Sequence, residues 1–128
     1  MDVMACREVL DNLMEACEIL DLDEPDYPKW KELRGKLPTY LLDEEGAVKE
    51  WSFKYSGENY DHRHVSHHYD VWPGRAITPE KTPELVQPFI LSNRKRGHQD
   101  DSAHGVIHRY FTAVRLGDLP DACIISVR

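Results

Sequence analysis

The stretch Met1–Leu20, "MDVMACREVLDNLMEACEIL", decides the fold class. Its apolar residues Val3, Cys6, Leu10, Leu13, Cys17 and Leu20 recur at three- and four-residue steps, the spacing that gathers side chains on one face of an α-helix. Acids in its first turns and the lack of a basic leader argue against a signal peptide. The expected location is the cytoplasm, and a piece of a longer secreted chain fits the same residues.

Working outward, "DLDEPDYP" predicts a stop, because Pro25 lacks a backbone donor and clashes with the preceding turn. A second helix is expected over Pro28–Leu37, with Trp30, Leu33 and Leu37 inward and Pro38 after it. From Thr39 to Thr78 the helical period fails, and Gly46, Gly57, Pro73, Gly74 and several aromatics fall in a long irregular stretch. Irregular segments of this length inside a domain are usually functional. Within it "VKEWSFKY" reads as a short strand, with room for a strand pair, and "RHVSHHYDV" as one or two helical turns. In "TPEKTPELVQPFILSNRKRG", Thr82 is the expected cap, Pro83 the first helical residue, Pro88 a kink and Gly97 the stop. Ser102 then caps a helix with Val106, Ile107, Tyr110, Phe111 and Val114 on its apolar side and Gly117 at its end. A last helix starts at Asp118 and Pro120. The expectation is all-α: about five helices and a long irregular loop over 39–78, in a single domain 1–128.

With 128 residues, 41% hydrophobic and 30% charged, the composition is globular. No apolar run approaches the ~20 residues of a membrane helix, so no membrane partner is expected. A net charge of −7, with "RKR" at Arg94–Arg96 as the only basic cluster, argues against nucleic acid. Cys6, Cys17 and Cys123 form an odd set without CxxC spacing. They predict free thiols, the first two buried on the helix stripe, and neither a disulfide nor a cysteine zinc site.

All seven histidines lie between positions 62 and 108, four of them in "DHRHVSHHYDVWPG", Asp61–Gly74. Neither solubility nor core packing requires that clustering. An imidazole can donate and accept hydrogen bonds and titrates near neutrality, which suits polyol ligands, proton transfer and metals alike. His62, His64 and His67 give H-x-H-x-x-H, close to the H-x-H-x-D-H of metallo-β-lactamase-like hydrolases, with Ser66 in the aspartate place. A His-ligated zinc hydrolase is therefore one alternative, and His104 with His108 supply a second pair one turn apart. Asp100 and Asp101 precede a helix, where one acid or Ser102 caps the amides and the other acid is left to act as a base. Trp51 and Trp72 flank the histidine segment as sugar-stacking faces or as anchors, and Glu50 as a substrate contact or a strand end.

Read in order, "GAVKEW", "DHRHVSHHYDVWPG", "RKRG", "DDSAHGVIHR" and "AVRLGD" resemble the C-terminal part of the catalytic module of glycoside hydrolase family 95, which contains α-L-fucosidases and α-L-galactosidases. "KLPTYLLDEEGAVKEW", after the first helix, is similar to the family's turn, Gly and "EW" pattern. The resemblance implies part of an (α/α)6 toroid, a carbohydrate partner and no cofactor. It also implies inverting hydrolysis by two carboxyl groups roughly 6.5–9.5 Å apart. It carries the base onto Asp100, with Asp101 next, and sugar contacts or their support onto Glu50, Trp51, His62, Arg63, His64 and His67. His104 stands where many members carry Trp, which opens the pocket to another α-L-linked or related sugar. The family's general acid and its Asn pair match nothing here, so little activity is expected of the chain by itself. A noncatalytic carbohydrate-binding or assembly module is a further alternative. A partial ring leaves apolar helix faces uncovered, hence an expectation of self-association.

Overall fold

The computed structural model describes residues 2–97 and 102–127. Among them are five α-helices and no β-strand: α1 (Asp2–Ile19), α2 (Tyr27–Lys36), α3 (Pro83–Arg94), α4 (Ala103–Leu116) and α5 (Leu119–Ser126). No helix among the described residues is long and apolar enough to cross a membrane. Contacts gather into two compact units, residues 1–39 and 40–128.

The first unit is α1 with α2. Asp21, with φ 52°, takes the left-handed region that Asp tolerates, and the amides of Asp21 and Leu22 bond back to the carbonyls of Glu18 and Cys17. This Schellman-type closure ends α1 before Pro25 can. Arg34 forks onto Asp11 at 2.7 and 3.0 Å, joining α2 to α1, and Arg7 donates to the Pro38 carbonyl. The buried line of α1 is Met4, Arg7, Leu10 and Cys17. Leu13, Leu20 and Cys6 of the expected stripe are exposed, and so is Leu33 of α2. A pair of helices can cover only a narrow strip, which is less than the apolar face the sequence writes.

The second unit packs α3, α4 and α5 with the irregular segment. Its core joins Val48, Val71, Ile77, Phe89 and Leu116, and a smaller cluster of Ala113, Ala122 and Ile125 lies under α5. Polar staples fix the helices. Asn93 Nδ2 on α3 donates to the Arg109 carbonyl at 3.3 Å and to Asp121 Oδ2 at 3.0 Å, and Arg94 forks onto Asp118 at 2.8 and 2.6 Å.

Ser102 caps α4 as the sequence predicts, accepting from the Gly105 amide at 3.3 Å, and Gly117 closes it at φ 75°. The buried side of α4 differs from the expected one: Arg109, Thr112, Ala113 and Leu116 face inward, whereas Ile107, Phe111 and Val114 are exposed. Arg109 and Thr112 are buried beside Ala113 and Leu116 although the Thr112 hydroxyl finds no hydrogen-bond partner among the described residues, so apolarity alone does not choose the face. Thr82 makes no cap bond, because its hydroxyl is engaged with the Thr78 backbone at 3.2 Å. "VKEWSFKY" forms no strand; a single antiparallel bridge joins Leu42 to Val48. The tight turn between them is held by Asp43, whose Oδ1 accepts from the Glu45 and Ala47 amides at 2.9 Å each.

Candidate functional site

A 3₁₀ turn at Ser66–His68 sorts the histidine-rich segment into an inner and an outer set. His67 and His68 are buried, whereas His62, Arg63 and His64 are exposed. The three histidines of the H-x-H-x-x-H spacing therefore do not converge. Among the described residues no group of three or more His, Cys, Asp or Glu is placed to hold a metal ion.

The inner set is organised by Ser92 on α3. Its hydroxyl donates to the Val48 carbonyl at 2.9 Å and lies 2.8 Å from His67 Nε2 and 3.1 Å from His68 Nε2. A serine hydroxyl has one hydrogen and two lone pairs, so with the hydrogen on Val48 both imidazoles must donate from Nε2. This assigns both as neutral Nε2–H tautomers. Burial pushes both well below the ordinary histidine range, with the neighbouring imidazole and Arg96 adding for His67, and Arg96, Arg109 and His108 for His68. Arg96 Nη2 is 3.1 Å from either nitrogen of His67, and the tautomer makes Nδ1 the acceptor.

Arg96 is the residue that sequence reading missed, since "RKR" looks like a surface patch. Its side chain is 1% exposed, Nη1 donates to the Asn59 carbonyl at 2.8 Å, and Nη2 lies 3.6 Å from Glu50 Oε2. Glu50 Oε1 accepts from Ser66 Oγ at 2.8 Å. The "EW" pair thus splits: Glu50 joins the inner network and Trp51 stands exposed. All three cations of the basic cluster are spent internally, Arg94 on Asp118, Lys95 on Asp43 and Glu45, and Arg96 on this network.

The outer set is a row of rings. Centroids are 5.0 Å apart for His62 and His64, 5.1 Å for His64 and His104, and 4.3 Å for His104 and His108. His108 then meets Trp72 edge to face at 4.7 Å, and Trp72 stacks on Phe111 at 4.8 Å with an interplanar angle of 18°. The loop carrying His62 and His64 is thereby set against the first two turns of α4. Burial, then the imidazoles of His104 and His64, push His108 below its usual range. Arg63 Nε donates to His64 Nε2 at 3.2 Å. The row presents ring faces and nitrogens of both polarities, a surface suited to hydroxyl-rich ligands.

Gly74 and Arg115 pin the end of the segment. Arg115 Nη1 donates to the Val71 and Gly74 carbonyls at 3.0 and 2.6 Å, and a Cβ on Gly74 would lie 2.4 Å from the Tyr69 carbonyl oxygen. Asp100 and Asp101, the predicted base candidates, lie outside the described residues. Capping by Ser102 leaves neither of them required for that role.

The family model of the glycosyl hydrolase family 95 catalytic domain matches residues 1–124. The chain belongs to glycosyl hydrolase family 95. This family 95 chain is 33% identical over 134 residues to Alpha-L-fucosidase 2 of Arabidopsis thaliana, an alignment covering 94% of the chain and 16% of that relative. The chain thus spans less than a fifth of the length of the relative it matches. Five helices without a strand among the described residues agree with part of the family's helical toroid.

Proposed function

We propose that this chain contributes the sugar-binding wall and the base of an inverting glycosidase acting on α-L-fucosides or related α-linked sugars. The observation that carries this reading is the outer row, in which His62, His64 and His104 come together from a loop and a helix inside a family 95 chain. In this reading Arg63 joins the row as a hydroxyl donor. Glu50, His67, Ser92 and Arg96 hold the loop that carries it, and Trp51 gives an exposed stacking face.

Asp100 is the base and Asp101 the second candidate, each five residues or fewer before the helix residue His104. An ionised carboxylate there would take a proton from water as water attacks the anomeric carbon, while a separate carboxylic acid protonates the leaving oxygen. None of this chain's residues is assigned the acid, so the expectation for the chain assayed by itself is binding with little turnover.

The test is hydrolysis of aryl α-L-fucoside and α-L-galactoside, with the product anomer followed by NMR. In an active protein containing this chain, Asp100→Asn should lower turnover by about 10³-fold or more, with Asp101→Asn far milder. Equal and small effects remove both from the base role. Binding of L-sugars with no turnover in any form of the protein would favour a noncatalytic module.

A further inference from the structure

We propose that the cleft between the Asp43 turn and the loop 54–60 is a second sugar site, which takes a neutral, hydroxyl-rich unit of the same glycan beside the ring row. The inference rests on the proposed glycosidase reading for the kind of ligand, and adds where a further unit is held and what it carries.

The cleft has a volume of about 640 Å³, in the range of small-molecule sites, and four carboxylates and three lysines line it. Their charges are compensated locally. At one end Asp43 Oδ2 accepts from Lys95 Nζ at 2.5 Å and from the Tyr60 hydroxyl at 2.9 Å, and Lys95 also meets Glu45 at 2.9 Å. One hydrogen of the Lys95 ammonium and the lone pairs of the Tyr60 hydroxyl are left for a ligand. At the other end Lys49 Nζ donates to the Lys54 and Ser56 carbonyls at 3.4 and 3.3 Å and stands 4.0 Å from Glu58 Oε1.

That last pair selects the ligand. The Glu58 side chain is only 10% exposed; its Oε2 accepts from the Glu50 amide at 2.8 Å, whereas Oε1 has no hydrogen-bond partner among the described residues. A buried carboxylate oxygen without a donor is costly. A hydroxyl set between Glu58 Oε1 and Lys49 Nζ satisfies both, donating to the first and accepting from the second. A ligand ammonium would repel Lys49 and a ligand carboxylate would repel Glu58, so the pair favours a neutral hydroxyl.

The loop is not arranged for core packing: Trp51, Phe53 and Tyr55 are exposed while Lys54 and Ser56 line the cleft, the reverse of ordinary burial. The cleft also adjoins the ring row. Tyr60 lines the cleft and His62 begins the row two residues on, so their Cα atoms are at most about 7 Å apart. The turn between them is fixed, because the Asn59 carbonyl accepts from the His62 amide at 3.4 Å and from Arg96 Nη1 at 2.8 Å, and the Tyr60 carbonyl accepts from the Gly97 amide at 2.9 Å. A sugar on the row therefore has its next unit within reach of the cleft.

The experiment titrates sugars into the whole chain at one pH and reads by NMR the ring signals of Tyr60 for the cleft and of His62 and His64 for the row. The probes are methyl α-L-fucoside, a panel of α-L-fucosyl disaccharides of D-galactose, and the same disaccharides with D-galactosamine or D-galacturonic acid as the second unit. Methyl α-L-fucoside should move the row alone. At least one neutral disaccharide should move both sets and bind roughly tenfold more tightly, and its amino and carboxylate analogues should lose most of that gain. Tyr60→Phe and Glu58→Gln, checked for folding by their melting curves, should each cut the gain several-fold, which a merely structural loss, weakening both ligands alike, would not do.

A row shift with no gain from any second unit would overturn the cleft proposal and leave the proposed function standing. A charged disaccharide binding more tightly than its neutral parent would overturn the neutral class, and equal weakening of both ligands in the two variants would remove Tyr60 and Glu58 from a sugar site. No shift of either set by any sugar would overturn both the cleft proposal and the proposed function.

Discussion

Arg96 and Glu50 face each other across 3.6 Å with side chains only 1% and 13% exposed, one following α3 and the other in the irregular segment. Because Arg96 also carries His67 and the Asn59 carbonyl, this pair ties three parts of the loop to α3. A buried pair gains little over an apolar substitute, but losing one partner strands the other charge away from water.

Arg96→Met should therefore cost about 3–5 kcal/mol of unfolding free energy, and Glu50→Gln in that background should restore a good part of it. Urea unfolding of the two single variants and the double variant measures the coupling. Strict additivity would show that the two charges do not depend on each other.

Ser92→Ala removes the acceptor of two buried imidazole N–H groups and the donor to Val48, a loss of about 1–3 kcal/mol. The nitrogen chemical shifts of His67 and His68 should report Nε2–H tautomers in the parent and a changed His68 in the variant. Nδ1–H signals in the parent would contradict the assigned network.

Asp43 has a pH signature. Burial by itself would raise its pKa, but the hydrogen bond from Lys95, the Ala47 amide, the Tyr60 hydroxyl and the Glu45 amide bring it from 3.8 to about 2. Lys95 is pushed up in return, first by Asp43. A carboxyl held below its unfolded value stabilises the fold above that value, and the contribution is lost as pH falls from about 4 to about 2. Asp43→Asn should cost about 2 kcal/mol near neutrality, with the difference from the parent closing below about pH 3. A pH-independent difference in urea unfolding would mean that the carboxylate is not held ionised.

Gly74 and Gly97 are both crowded, by atoms that differ in freedom. A Cβ at Gly74 would meet the Tyr69 carbonyl oxygen at 2.4 Å, whereas one at Gly97 would meet the Asp61 side chain, which can swing away. Gly74→Ala should cost about 2–3 kcal/mol and lower the melting temperature clearly more than Gly97→Ala. The reverse order would place the tight approach at Gly97.

Several features were legible in the residues because their causes are local. Ser102 as a cap and Gly117 in the left-handed region follow from the side chains at the ends of α4, and a glycine stop needs no partner from elsewhere. The short helical turn in "RHVSHHYDV" is likewise present at Ser66–His68. The end of α1 was harder, since Asp21 makes the turn that Pro25 suggested.

By itself, then, the sequence determined the class of the fold, the number of helices, the irregular segment between them and the family, all of which depend on spacing and on the order of short motifs. Only the tertiary structure decided which faces are covered and which histidines look out. The apolar stripe of α4 stays largely exposed while Arg109 and Thr112 go inside, because burial depends on what packs opposite. In the same way adjacent histidines part company: His67 and His68 go inward to a serine 24 or more residues away, and His62 and His64 go outward to a ring on α4. Those partners are distant in the chain, and no local rule of residue type or period encodes them.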